Sequence, residues 1–244
     1  MRVLVVADVH SNLSAFEAVI SDAEATAPID TIWVLGDLVG YGPEPGACIA
    51  LLRKHRHIAV AGNHDRAAAG MLATDDFNEY AAAAAAWTAE ALTQEEREFL
   101  AALPETAVHE EFTLVHGSLR DPVWEYLLST AAAAEHLALQ TTRYGFIGHS
   151  HLQLSFVEHE RGRPRGTLQA SGDEVQLAQH RLIANPGGLG QPRDGDPRTA
   201  YALLDTSTMR LAFKRIEYDI ARTQKRMQAA GLPYYLIERL ARGR

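Results

Sequence analysis

Runs of β-branched and aliphatic residues punctuate the chain at 2–7, 31–35, 57–61, 112–115, 143–147, 152–158, 180–184, 199–205 and 209–216. Each is short, extended in character and bounded by turn formers or charged residues, the pattern of a β-strand. Helical patterns separate the first three. Residues 12–25 form one, with Ser14 and Glu17 as a candidate capping box, and 44–54 form the next. This alternation predicts βαβ units and a largely parallel sheet at the start. The Ala-rich stretch 75–92 reads as a helix, with Phe77, Tyr80, Trp87 and Leu92 as its apolar face. Thr93 and Glu96 cap a further helix over 94–102, which Leu103-Pro104 ends, and 129–140 makes another. After 143 strands and turns dominate. Residues 161–166 read as a hairpin tip, and 185–197, dense in Gly, Pro and Asp, as a functional loop over a site. The tail, 219–243, is helical and basic.

Composition narrows the class. The 244 residues are 47% hydrophobic and 22% charged, as in ordinary globular proteins, and are enough for one large α/β domain over 1–244. A net charge of −8 disfavours nucleic acid as a partner. The single cysteine, Cys48, excludes an internal disulfide and reads as a small buried apolar residue. No apolar run approaches the roughly 18 residues of a membrane span. The first strand is too short for a signal peptide, so the expected compartment is cytoplasmic, with no membrane partner.

The chemistry sits in five motifs, each following a strand-like run: Asp8-Val9-His10, Gly36-Asp37, Gly62-Asn63-His64-Asp65, His116-Gly117 and Gly148-His149-Ser150-His151. Carboxylate oxygen and imidazole nitrogen are donors for hard and borderline divalent cations. Asp8 and His10, two apart on an extended chain, share one face and can reach one ion. His149 and His151 repeat that spacing. Asp37 can bridge two cations with its two oxygens, and Asn63 offers an amide oxygen. Ligands at the carboxyl ends of strands follow the rule for α/β sheets. Alone, Gly36-Asp37 or Gly148-His149-Ser150-His151 reads as a turn and Gly62-Asn63-His64-Asp65 is only moderately specific; five motifs in this order are the donor inventory of a two-metal hydrolase. The other six histidines (55, 57, 109, 136, 159 and 180) lack such context and are expected to be solvated or locally hydrogen-bonded.

These motifs, from Asp8 through His151, resemble the calcineurin-like metallophosphoesterase family. The resemblance implies a four-layer α/β/β/α sandwich with two mixed sheets and a dimetal site at strand C-terminal ends. By residue match it implies Asp8, His10, Asp37 and His151 around a first metal, and Asp37, Asn63, His116 and His149 around a second. His64 matches the non-ligand histidine that contacts phosphate and assists the leaving group, and Asp65 resembles the acid that orients it. Gly36-Asp37-Leu-Val-Gly-Tyr-Gly-Pro43 and the 185–197 loop are similar to a bacterial and archaeal subgroup of small cytosolic phosphoesterases. That subgroup often has Ser where this chain has Gly188.

One departure bears on substrate. The family's protein phosphatases and diadenosine tetraphosphatases carry Asp-Arg where this chain has Gly40-Tyr41. Arg66, Arg120 and Arg193 are the candidate replacements for the missing phosphate-gripping arginine. The expected reaction is hydrolysis of small phosphodiesters. Two divalent ions, Mn²⁺ favoured and Fe, Zn, Ni or Co also suited, would sit about 3.5–4 Å apart and activate a bridging water. The alternatives are a phosphomonoesterase or protein phosphatase, a nuclease, and a non-catalytic scaffold. The tail is a candidate surface for a homodimer, since a lone terminal helix needs a packing partner.

Overall fold

The computed structural model describes residues 1–177 and 180–244. Two mixed six-stranded sheets form its centre. The first runs β3 (His57–Val60), β2 (Thr31–Leu35), β1 (Arg2–Val6), β11 (Thr199–Asp205), β12 (Arg210–Ile216) and β9 (Glu174–Gln176). Strands β1, β2 and β3 pair in parallel, as the alternation with helices predicts; β11 joins β1 antiparallel. The second sheet runs β4 (Thr106–His109), β5 (Phe112–Val115), β6 (Tyr144–Phe146), β10 (Arg181–Pro186), β7 (Gln153–Glu160) and β8 (Arg163–Leu168).

Three apolar layers hold these sheets and their helices together. Period-two alternation sends Val3, Val5, Trp33 and Leu35 of the first sheet against Phe112, Leu114, Tyr144 and Phe146 of the second. Each large buried side chain there contributes about 1.5–3 kcal/mol. Leu4, Val6, Ile32 and Val34 point the other way. They meet helices α1 (Leu13–Glu24), α2 (Pro45–Leu52) and α5 (Gln94–Ala102). The outer face of the second sheet, through Val115, Leu154 and Ile183, meets α6 (Thr130–Leu139). The layering is therefore α/β/β/α.

Several local expectations shift. The α1 cap is Asn12, whose side chain accepts from Ala15 N–H, while the Ser14 hydroxyl is buried without a partner. The Ala-rich helix, α4 (Glu79–Ala91), begins at the Asn78 cap, four residues later than expected, so Phe77 lies in the preceding loop. Its buried face is Ala81, Ala84, Ala85 and Thr88 rather than the aromatic residues. A short helix, α3 (Asn63–Ala68), follows β3 directly. Strand β8 begins at Arg163, so only 161–162 form the hairpin turn. Strands β4 and β9 lacked the length and burial that make a strand visible in sequence.

The tail folds as two helices, α7 (Ile220–Ala229) and α8 (Tyr234–Leu240), broken at Gly231–Pro233. Met227, Leu232, Leu236 and Leu240 pack on Ala81, Ala84 and Tyr41. The alanines of α4 are thus a close-approach surface for the tail. Tyr234 and Tyr235 remain exposed.

Candidate metal centre

All five motifs converge at the carboxyl ends of β1, β2, β3, β5 and β6. They form buried groups of donors, each with donor atoms within 4.8 Å of one another: Asp8, His10 and His151; Asp37, His116 and His149; and His10, Asp37 and His64. Asn63 Oδ1 lies 3.2 Å from His116 Nε2 and joins the second group.

The convergence does not come from shared strand faces. Strand β1 ends at Val6, and both Asp8 (φ 54°) and His10 (φ 47°) lie beyond it in the left-handed region. Asp37, His149 and His151 have positive φ as well, so five of the nine such non-glycine residues described are candidate ligands. Each such position costs about 1–3 kcal/mol and persists only where its surroundings enforce it. Here backbone bonds do so: Asp8 N–H donates to Gly36 O at 3.1 Å, and His10 N–H to Asp37 O at 2.9 Å. The two-apart histidines consequently separate. His149 joins Asp37 and His116, while His151 joins Asp8 and His10.

The hydrogen bonds of the four clustered histidines indicate what the site holds. His10 Nδ1 donates to Val39 O (3.2 Å), His116 Nδ1 to Leu35 O (2.8 Å), His151 Nδ1 to Gln191 O (2.5 Å) and His149 Nε2 to Trp124 O (3.1 Å). A carbonyl only accepts, so each of these nitrogens carries a proton, and in the neutral ring the other nitrogen presents a lone pair. Those lone pairs face each other: His10 Nε2 and His151 Nε2 at 3.3 Å, His116 Nε2 and His149 Nδ1 at 3.0 Å. Asp8 Oδ2 is buried with no hydrogen-bond partner. Opposed lone pairs and an orphaned carboxylate oxygen are costly unless a cation lies between them. Backbone locking of the distal nitrogen is the usual outer support of metal-binding histidines. The residues present therefore fit divalent metal.

Electrostatics agree for three of the four rings. Burial holds His10 and His151 well below the ordinary imidazole value and His149 at about 3, so all three are neutral donors. Burial raises Asp8 to about 7, with His116 opposing the rise and the Asp37 charge adding to it. Burial opposes the His116 cation, but the Asp37 carboxylate overrides it and lifts His116 to about 9, so without a metal its Nε2 carries a proton toward Asp37 and His149, one that a bound cation would displace. Asp37 is central: Oδ2 lies 3.4 Å from His116 Nε2 and 3.7 Å from His10 Nε2, between the two groups. Its Oδ1 instead accepts from His64 N–H at 2.9 Å. One oxygen, not two, is placed to bridge. A Cβ on Gly62 would lie 2.1 Å from that Oδ1, so only glycine fits there.

His64 differs from the four locked rings. Its Nδ1 is buried without a partner, and the ring packs between Tyr41 (4.3 Å), Phe77 (4.8 Å) and His10 (5.0 Å). Asp65 does not orient it. One Asp65 oxygen accepts from Val39 N–H (3.1 Å) and the other from Gly62 N–H (3.0 Å), so both are spent tying the start of α3 to the Asp37 loop. A Cβ at Gly40 (φ 95°) would lie 2.6 Å from His64 Nδ1. Gly40, where the family's protein phosphatases carry Asp, thus fits closely against the ring without supplying a carboxylate.

Of the three arginines, only Arg193 reaches the centre. It lines a cleft of about 100 Å³ over His64, Asn63 and His149. It is held by Gln191 Oε1 at 3.1 Å and lies 5.8 Å over the Tyr41 ring. Arg66 instead caps α5, donating to Ala101 O (3.0 Å) and Leu103 O (2.9 Å). Arg120 pairs with Glu125 and Glu135 at the surface. The 185–197 loop does border the site. Asn185 donates to Gly148 O at 2.6 Å, and Gly190 N–H to Asp8 O at 2.8 Å. At Gly188 a Cβ would lie 2.7 Å from His151 Nδ1, so no hydroxyl contact is available there. Sequence reasoning missed Tyr41, Trp124 and Tyr126 as lining residues. The signal was two aromatics close behind His116-Gly117, outside any periodic segment.

A buried centre of paired His and Asp groups between two mixed sheets defines a metallophosphoesterase. Consistently, the calcineurin-like phosphoesterase superfamily domain matches residues 1–209, and the chain belongs to that family. It is 34% identical over 250 residues to the uncharacterized protein MJ0912 of Methanocaldococcus jannaschii, covering 99% of this chain and 98% of the other. A metallophosphoesterase from Sphaerobacter thermophilus superposes with a TM-score of 0.91 at 43% identity, over 100% of this chain and 99% of that one. The hypothetical protein PH1004 of Pyrococcus horikoshii shares the fold, with a TM-score of 0.82 at 20% identity over 100% and 98%.

Proposed function

We propose that this chain, as one domain over 1–244, is a phosphodiesterase on small substrates that works with two divalent ions, Mn²⁺ among the best. The observation that supports this most strongly is the set of opposed lone pairs with Asp37 Oδ2 between them. Asp8, His10, Asp37 and His151 would hold one ion; Asp37, Asn63, His116 and His149 would hold the other. When bound, such a pair supplies Lewis acidity and a hydroxide nucleophile at neutral pH.

The protein's own groups do the rest. Water oxygen adds to phosphorus, the bond to the leaving oxygen breaks, and that oxygen gains a proton. His64 would supply it: its ring lines the cleft, and no carbonyl or carboxylate engages its Nδ1. Burial lowers His64 to about 4, so in the free protein the ring is a neutral hydrogen-bond donor. The anionic substrate must lift that value for full proton transfer. Asn63, His64 and Arg193 would bind the phosphoryl oxygens.

The preference for diesters rests on charge. Arg193 is the only arginine or lysine among the residues lining the cleft, and Gly40-Tyr41 supplies no second charge. One guanidinium suits a monoanion better than a dianion. No helix among the described residues is long and apolar enough to cross a membrane, and we place the enzyme in the cytoplasm. The test is turnover of bis(p-nitrophenyl) phosphate, p-nitrophenyl phosphate and 2′,3′-cyclic nucleotides across divalent metals. We expect higher kcat/KM for diesters with Mn²⁺. Monoesters winning tenfold would make the protein a phosphomonoesterase, and no turnover with any metal would favour a scaffold.

A further inference from the structure

Four aromatic rings surround the cleft, and three of them stand on one side. Phe77 touches the His64 ring at 4.8 Å and meets Trp124 edge-on at 5.2 Å. Trp124 lies 6.5 Å from His149, and Tyr126 stacks on His149 at 4.0 Å and 21°. These rings are not buried in a core. Tyr126 is 49% exposed, and Phe77 and Trp124 are half-buried. The wall is nonetheless fixed. Trp124 O accepts from His149 Nε2, which ties the aromatic segment to the centre, and Phe77 N–H donates to Thr74 O at 3.0 Å beside the α4 cap.

Charge divides the mouth. Arg193 lies over the Tyr41 ring, whereas the Asp76 carboxylate, next to Phe77 in the chain, is the charge that lines the cleft beside the aromatic rings. A phosphate tail would be repelled there; an uncharged planar ring would not. His64 stands against Phe77, so a group departing toward His64 departs along the aromatic wall.

Resting on the phosphodiesterase reading above, we infer that Phe77, Trp124 and Tyr126 form a subsite for a planar aromatic group, a nucleobase or an aryl ring, on the leaving side of the ester. Solvent-facing rings at a polar centre gain by covering a π-face, and base–aromatic stacking is favourable whatever the base. The subsite selects by ring shape and sets affinity, while Arg193 reads the phosphoryl charge across the cleft.

Phenyl methylphosphonate and cyclohexyl methylphosphonate carry one charge each and differ in the planarity of the ring. Their binding to the Mn²⁺-loaded protein can be measured by titration calorimetry and by tryptophan emission. We expect the phenyl compound to bind about tenfold more tightly. The ratio should fall close to one in Trp124→Ala/Tyr126→Ala. The emission change should vanish in Trp124→Phe, since Trp33 is fully buried and Trp87 packs against the tail cluster outside the cleft lining. Equal binding of both compounds to the unaltered protein overturns the subsite and leaves the phosphoesterase reading intact. Failure of both to bind, together with no diester turnover, overturns that reading itself. A double variant that lost metal would be recognised by metal analysis. Trp124→Leu, which keeps the apolar volume and removes the ring face, then decides the matter: a retained tenfold ratio overturns the proposal.

Discussion

The floor of the site and its mouth are built in different ways. On the floor His10, His116, His149 and His151 are each locked by a backbone carbonyl, and each donor lies within a few residues of a strand end. At the mouth, Phe77, Trp124, Tyr126 and Arg193 stand on loops, and ring packing and one glutamine side chain hold them. Backbone bonds within a packed sandwich set donor positions regardless of neighbouring side chains, so the floor defines a reaction class. Loops can vary without disturbing the sheets, so the mouth selects the substrate. The comparison predicts that floor changes act on metal content and kcat, and mouth changes on KM.

Asp37→Asn strikes the floor hardest. It keeps the acceptor for His64 N–H but removes the charge between the two groups. We expect both ions to be lost together and kcat to fall about a thousandfold, a loss of several kcal/mol of metal-derived stabilisation. Metal analysis checks this; one ion retained at full occupancy would contradict the bridging role.

His64→Asn tests the border between the regions. Both ions should remain, and kcat should drop by about 10²–10⁴, the usual value of a positioned acid. The deficit should shrink for esters with good leaving groups, which need less protonation. A uniform deficit across a leaving-group series would remove the proton-donor role.

Arg193→Ala belongs to the mouth. KM for diesters should rise about tenfold with kcat within a factor of two or three, the cost of one charged hydrogen-bonding partner. A kcat loss larger than the KM change would move Arg193 to the floor.

Truncation after Asp219 strips Met227, Leu232, Leu236 and Leu240 from Tyr41 and α4. It also removes the Gly243 carbonyl that accepts from Gly195 N–H at 2.8 Å, next to the Arg193 loop. Losing several kcal/mol of burial should lower Tm by roughly 5–10 °C. An unchanged melting curve would show that the tail supports nothing.

The smallest effect lies away from both regions. His136 is fully buried; its Nε2 donates to Gln140 Oε1 (3.2 Å) and its Nδ1 accepts from Leu119 N–H (3.2 Å). Burial lowers its pKa to about 4. The unfolded chain therefore binds a proton between 6.5 and 4 that the folded one does not. This contribution is intact above 6.5 and is lost as pH falls toward 4, by about 2 kcal/mol between pH 7 and pH 5. Urea titrations of the parent and His136→Gln at both pH values measure it; equal slopes would refute it.

The amino-acid pattern alone determined the strands that carry the motifs, the alternating start, the Thr93–Glu96 cap and which Asp, Asn and His residues converge at the centre. Strand periodicity and capping are local, and metal chemistry restricts donors to few residue types. Only the tertiary structure decided how the donors are shared. The two-apart pairs Asp8/His10 and His149/His151 do not act through strand faces, because left-handed turns past the strand ends aim each side chain separately. Asp65 looked like a site residue by family resemblance and Arg66 as a candidate phosphate grip, but the first turn of α3 points them at Val39 and α5. Trp124 and Arg193 are 69 residues apart in sequence and line one cleft. That juxtaposition depends on the packing of two sheets, a long-range fact that no local pattern encodes.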